Sequence, residues 1–223
     1  MPIFKKINKS FFKKWGHEMA YVLGFMYADG NIIINKRGAK FFAIYSADLE
    51  LLQEIKQVMS SEHKISKRKG AVGNNYRIQF GSCEMYDDLI SLGLRPNKTK
   101  RMRLPLIPSK YVGDFLRGYF DGDGGVWSGY VHKERKTSHL VIRVVFTSCS
   151  ESFLLDLSKV LFKYCKTMGV LSAGKGNYFR LTYSTSGALI LYKTMYNRLQ
   201  SALFLPRKKQ VFERYARIKK LRV

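Results

Sequence analysis

Chemistry can be read first from two aspartates, Asp29 and Asp123. Each stands before a glycine, at the end of a run of mostly large apolar residues that has another glycine inside it. The runs are YVLGFMYADG, Tyr21 to Gly30, and FLRGYFDGDG, Phe115 to Gly124. Laid on each other, they match Gly24 with Gly118, Ala28 with Gly122, Asp29 with Asp123 and Gly30 with Gly124. Residues four apart on a helix share a face, so Gly24 and Ala28 form one small-residue face and Gly118 and Gly122 another. Two helices joined on such faces bring their backbones close. Gly30 and Gly124 fall where a helix end takes a left-handed residue. The packed pair would leave Asp29 and Asp123 side by side at two negative helix ends, where they repel each other. A divalent cation resolves that repulsion, and hard oxygen ligands favour magnesium or calcium.

The elements around these residues also occur twice. After the first run, residues 31–35, a Lys36-Arg37-Gly38 turn and Lys40 to Ser46 predict strand, turn and strand. Ala47 to Met59 has Leu49, Leu52, Ile55 and Met59 at helical spacing, with Asp48 near the N-cap. Lys64 to Lys69 and Asn75 to Phe80 predict a second strand pair. In the latter, Asn75, Arg77 and Gln79 point one way, and Tyr76, Ile78 and Phe80 the other. Glu84 to Leu92 is a helix, and Gly93 to Pro108 a linker with a basic run from Lys98 to Arg103. From Lys110 the order recurs: motif helix to Gly124, strands 125–131 and 140–147, helix 148–165, strands 170–172 and 177–183, helix 187–201. In the last strand Arg180 and Thr182 alternate with Phe179, Leu181 and Tyr183. A basic helix, 204–223, ends the chain. Such a repeat fixes the architecture before any single residue does. The expected fold is α+β, two pseudo-symmetric αββαββα repeats. Each repeat carries a twisted antiparallel four-stranded sheet, and the motif helices pack at the centre. The expected boundaries are a basic arm at 1–16, a first repeat at 17–104 with its linker from about 93, and a second repeat at 105–223.

Among the 223 residues, 40 Lys and Arg stand against 16 Asp and Glu, a net charge of +24. No fold needs that imbalance, and it repels itself. Basic residues mixed with Tyr, Phe, Asn and Gln through the whole chain point to a nucleic-acid surface. The apolar runs are too short for a membrane span. The start, MPIFKKINKSFFKKW, lacks the apolar core of an export signal, so an intracellular place is expected, a bacterial cytoplasm or an organelle. Cys83, Cys149 and Cys165 fit buried free thiols in a reducing compartment. His17, His63, His132 and His139 lack zinc spacing and read as surface or DNA-facing.

The doubled motif resembles the two motifs of the LAGLIDADG homing endonucleases in their single-chain, two-repeat form, over about His17 to Tyr215. The resemblance implies a monomer cutting both strands of a long asymmetric duplex DNA site with divalent ions, magnesium foremost, calcium or manganese able to substitute. It implies that Asp29 and Asp123 bind the metals, with the carbonyls of Ala28 and Gly122 completing coordination. Asp121 has Tyr27 as its counterpart and reads as a secondary or structural carboxylate. The family commonly has a basic residue near the metals in each half. Lys98 in Pro96-Asn97-Lys98 and Lys208 in Pro206-Arg207-Lys208 match that pattern, with Lys100 and Lys209 as competitors. Ser46 and Ser148 fit either helix caps or polar site residues.

The two sheets would form a basic saddle that follows a major groove. Base readout falls to Asn75, Arg77 and Gln79 in one half and Arg143, Arg180 and Thr182 in the other. Lys67, Arg68, Lys133 and Lys136, in the segments 64–69 and 132–136, are expected to hold phosphates. Met1 at the start and an end without His-Asn point away from an intein, toward a free-standing or intron-encoded enzyme. The alternatives are an RNA maturase, with RNA as partner, and a non-catalytic DNA-binding regulator on the same scaffold.

Overall fold

The computed structural model describes residues 5–69, 74–96, 101–132, 134, 137–197 and 199–221. Packing divides the chain into two units, Met1–Lys98 with Pro105–Gly122, and Thr99–Leu104 with Asp123–Val223. The first unit runs α1 (His17–Asp29), β1 (Gly30–Ile34), β2 (Lys40–Ser46), α2 (Leu49–Val58), β3 (Ile65–Lys69), β4 (Asn74–Gly81) and α3 (Cys83–Ser91). It also holds all but the last residue of α4 (Val112–Asp123), which a 3-10 turn at Ser109–Tyr111 precedes. Its antiparallel sheet has the order β1-β2-β4-β3. Strand parity builds the core. Phe42 pairs with Phe80 and Ile44 with Ile78, all buried, and α2 lies on β2 and β4 while α3 lies on β2.

α1 is buried on all sides from Met19 to Tyr27, as an almost wholly apolar helix must be. It meets α4 through the glycine faces. A Cβ on Gly24 would overlap the Phe115 carbonyl, and one on Gly118 would overlap that of Tyr21. The contact is reciprocal, since Tyr21 and Phe115 hold matching places in the two motifs. It also explains why α4 through Gly122 packs with the first unit, although the sequence repeat turns over at residue 105.

Two expectations change here. Gly30 is not a left-handed cap: with φ −93° and ψ 156° it passes straight into β1. It is small because a Cβ would crowd the Met26 carbonyl and sulfur. Gly124 likewise opens a strand and has no positive φ. The segment 5–16 is not a free arm. Phe12 is buried edge-on against Phe42, and the Asn8 amide donates to Met59 O while the Glu62 amide donates to Lys6 O. Two adjacent phenylalanines, Phe11 and Phe12, bring that apolar anchor within an otherwise basic stretch.

The second unit repeats the plan with β5 (Gly124–Val131), β6 (His139–Ser148), α5 (Glu151–Cys165), β7 (Val170–Ala173), β8 (Phe179–Tyr183) and α6 (Thr185–Tyr196), then adds α7 (Pro206–Ile218). The sheet order is β5-β6-β8-β7, the same as in the first unit, so the fold is α+β with a doubled four-stranded antiparallel sheet. Ile142, Val144, Phe146, Leu181 and Tyr183 form the inner face, with α5 on β6 and β8, α6 on β6, and α7 on β5 and β6. Ser150 caps α5 by accepting from the Phe153 amide, and its hydroxyl donates to Met102 O at 2.7 Å. Pro206 starts α7, where its missing N–H is harmless. None of the described helices is long and apolar enough to cross a membrane. The three free thiols are less hidden than expected: Cys83 is exposed, and Cys149 and Cys165 are half-buried.

Candidate active site and nucleic-acid face

Asp29 closes α1, where the aligned carbonyls of the last turn give a negative end. Beside it lies Gly122, in the last turn of α4. A Cβ on Gly122 would overlap that of Ala28 and stand 3.2 Å from Asp29 Oδ2. Glycine at 122 therefore keeps open the space beside the Asp29 carboxylate. Asp123, the next residue, is the last of α4. Among the described residues no group of three or more His, Cys, Asp or Glu gathers to hold a metal. The donors at these helix ends are carboxylate and carbonyl oxygens, and that set fits a hard divalent cation.

Asp121 is buried and accepts from the Tyr21 hydroxyl at 2.8 Å, across the helix pair rather than at its end. This agrees with the structural reading. Its counterpart Tyr27 donates to Leu92 O at 2.9 Å, and burial pushes its phenol well above the usual range, against the opposing charge of Arg95. In the middle of α4, Arg117 is 2% exposed. It donates to Asp114 at 2.7 Å and lies over the Tyr21 ring. His17 Nδ1 sits 2.7 Å from the other Asp114 oxygen, so His17 is a structural residue rather than a surface one. His63 also corrects the expectation. It is half-buried against Phe80, and burial, then the charges of Lys5 and Lys56, lower its pKa. His132 and His139 are exposed.

Lys208 is 7% exposed, and its Nζ donates to Gly124 O at 2.6 Å, one residue beyond Asp123. Its competitor Lys209 is held on the surface by Glu213 at 3.1 Å and by the Phe204 ring. Of the two, Lys208 is the one whose ammonium lies at the start of β5. Lys98 and Lys100 lie outside the described residues. Ser46 and Ser148 do matching work: each hydroxyl accepts an amide two residues on, from Asp48 at 3.0 Å and from Ser150 at 3.1 Å. They shape the turn into α2 and α5, with the cap positions themselves taken by Asp48 and Ser150.

The sheet faces opposite the helices carry the polar rows. Arg77 pairs with Tyr45 and Ser66, and Gln79 with Ala43, so Asn75, Arg77 and Gln79 share the face away from buried Ile78 and Phe80. Arg143 pairs with Trp127, Thr182 with Val145, and Arg180 with Thr147, away from Ile142, Val144 and Leu181. Arg180 also donates to Tyr178 at 3.0 Å. Lys67 lies in β3 and pairs with Tyr76. That register puts it on the helix-covered side, exposed at the sheet edge, and out of the Arg77 row. Arg68 pairs with Asn75 in the backbone; its side chain, Lys133 and Lys136 lie outside what is described. Parity found the polar rows. It passed over Trp127 and Tyr45, which share these faces, because aromatic residues in strands read as core.

No family model matches the chain. It is 27% identical over 218 residues to a protein of Thermococcus kodakarensis named as a probable translation initiation factor IF-2, covering 91% of this chain and 17% of that one. It is 27% identical over 122 residues to an uncharacterized protein of Methanocaldococcus jannaschii, covering 52% of this chain and 42% of that one. The chain thus spans less than half the length of either relative. Among solved structures it is similar to the LAGLIDADG meganuclease I-AabMI bound to uncleaved DNA, with 16% identity, TM-score 0.63, and 90% of this chain and 89% of that one covered. It is similar to I-SmaMI bound to an uncleaved DNA target in the presence of calcium ions, with 13% identity, TM-score 0.62, and 92% and 90% covered. It is also similar to the homing endonuclease I-WcaI bound to its DNA recognition sequence, with 17% identity, TM-score 0.58, and 91% and 90% covered. The chain has the fold of the LAGLIDADG homing endonucleases.

Proposed function

We infer that this chain is a metal-dependent, site-specific DNA endonuclease that acts as a monomer on both strands of a long asymmetric duplex site. The carrying observation is the pair of glycine-faced helices that each end in an aspartate, with Gly122 leaving space beside the Asp29 carboxylate. A helix pair needs the glycines to pack, whereas an acid at a helix C-terminus faces the negative end of the helix dipole. The DNA-bound state of structures with this fold and the net charge of +24 support duplex DNA as the partner, and the calcium present with I-SmaMI supports a divalent cofactor.

In this reading Asp29 and Asp123, with the carbonyls of Ala28 and Gly122, hold magnesium, and calcium or manganese can take the same oxygens. Such an ion polarises a phosphate and acidifies a bound water. The protein's own residues do the rest. Lys208 brings a positive charge beside Asp123 and anchors the Gly124 peptide, and Lys98 is its proposed counterpart. Arg77, Arg143 and Arg180 suit guanine, and Asn75 and Gln79 suit adenine, by paired hydrogen bonds to base edges, while Thr182 accepts or donates singly. Arg68, Lys133 and Lys136 hold phosphates; Lys67, on the helix-covered side of β3, is left out of that set. The two halves differ in these residues, so the site is asymmetric.

The test is a cleavage selection: purified protein is incubated with a large randomised duplex library, with magnesium or with EDTA, and new ends are sequenced. Recurrent magnesium-dependent cuts in both strands of one asymmetric sequence are expected. Selective DNA binding without cuts would turn the reading to a regulator, and tight binding to a structured intron RNA in preference to duplex DNA would turn it to a maturase.

A further inference from the structure

Trp127 is 50% exposed on the face of the second sheet that carries Arg143, Arg180 and Thr182. Its ring is seated rather than loose. A Cβ on Gly129 would come within 2.9 Å of Cη2 and 3.2 Å of Cε2, so the indole lies along β5 over Gly129, and a side chain there would displace it. Across the β5–β6 ladder Trp127 stands opposite Arg143, and Gly129 opposite Val141. Side chains so paired lie on one face. The result is an apolar shelf, Trp127 with Val141, beside an exposed guanidinium. The indole lies on the outer face, away from the buried row that β6 builds from Leu140, Ile142 and Val144.

A duplex offers one apolar group in its major groove, the thymine C5 methyl, and guanine O6 and N7 form the best partner for an arginine fork. Paired bases keep their faces stacked, so an indole at the groove wall reaches a methyl rather than a base plane. We propose that Trp127 is a specificity-determining residue: its indole contacts the C5 methyl of a thymine adjacent to a guanine read by Arg143. The part of the target read by the second sheet then contains a thymine next to a guanine. This rests on the duplex-DNA reading above and adds to it the identity of one base and the atom by which it is recognised.

The test uses the duplex recovered by selection, in EDTA so that binding alone is read. Each thymine is replaced in turn by deoxyuridine, which removes only the methyl group, and affinity is measured for the unaltered protein and for Trp127→Ala. One position should weaken binding about fourfold, the worth of one buried methyl group, and that effect should vanish in Trp127→Ala. Gly129→Ala, which unseats the ring, should behave the same way, with thermal melting confirming that both variants are folded. The chain has two tryptophans, so in a Trp15→Phe background indole emission reports Trp127 alone and should change on binding the selected duplex more than on binding an unrelated one. A uracil scan identical in the unaltered protein and in Trp127→Ala, with emission blind to sequence, would overturn the role of Trp127 while leaving the endonuclease reading intact. If no duplex is selected at all, both fall together.

Discussion

Lys208→Met strips a charged donor from the Gly124 carbonyl in a nearly closed place. A loss of about 1.5–3 kcal/mol is expected in denaturant titration, together with slower cleavage. The aspartates were legible in the sequence because the motif is doubled and each stands in the same frame. The buried set of His17, Asp114, Arg117, Tyr21 and Asp121 was not. Its hydrogen bonds join residues 97 and 100 apart. It also breaks the repeat: Arg117 answers to Leu23, and Asp121 to Tyr27, so alignment of the halves hides it.

At the scale of elements, the glycine faces set how closely α1 and α4 approach. Gly24→Ala and Gly118→Ala push a methyl group into a backbone carbonyl, which no rotamer change relieves. Each should destabilise by about 1–3 kcal/mol or more. Gly125→Ala meets nothing within 4 Å and lies in a strand, and should be within about 0.5 kcal/mol of neutral. Equal melting temperatures for all three would refute the tight helix pair. Strand parity was legible, and with it the polar rows, because a period of two leaves little freedom once one face is apolar. The docking of residues 5–16 was not, because two phenylalanines among five lysines look like a solvated basic stretch until Phe42 is seen to cover Phe12. Nor was the direct run from α1 into β1, where Gly30 serves close approach rather than a left-handed turn.

For the whole molecule, charge governs association. A net +24 predicts DNA binding that weakens steeply with salt; if about 6–10 phosphates are neutralised, affinity falls about 10³–10⁵-fold between 50 and 200 mM. Filter binding or fluorescence anisotropy over that range checks it, and a flat response would remove duplex DNA as the partner. Composition made that partner class legible, but no composition says that the chain cuts what it binds. The direct measurement is single-turnover cleavage of the selected duplex by the unaltered protein, Asp29→Asn and Asp123→Asn, with magnesium and with EDTA, and with binding followed in the same samples. The expected result is paired cuts in both strands with magnesium only, and a fall in rate on the order of 10²–10³-fold in each variant with affinity retained. Cutting that persists in EDTA or in both variants would contradict the account.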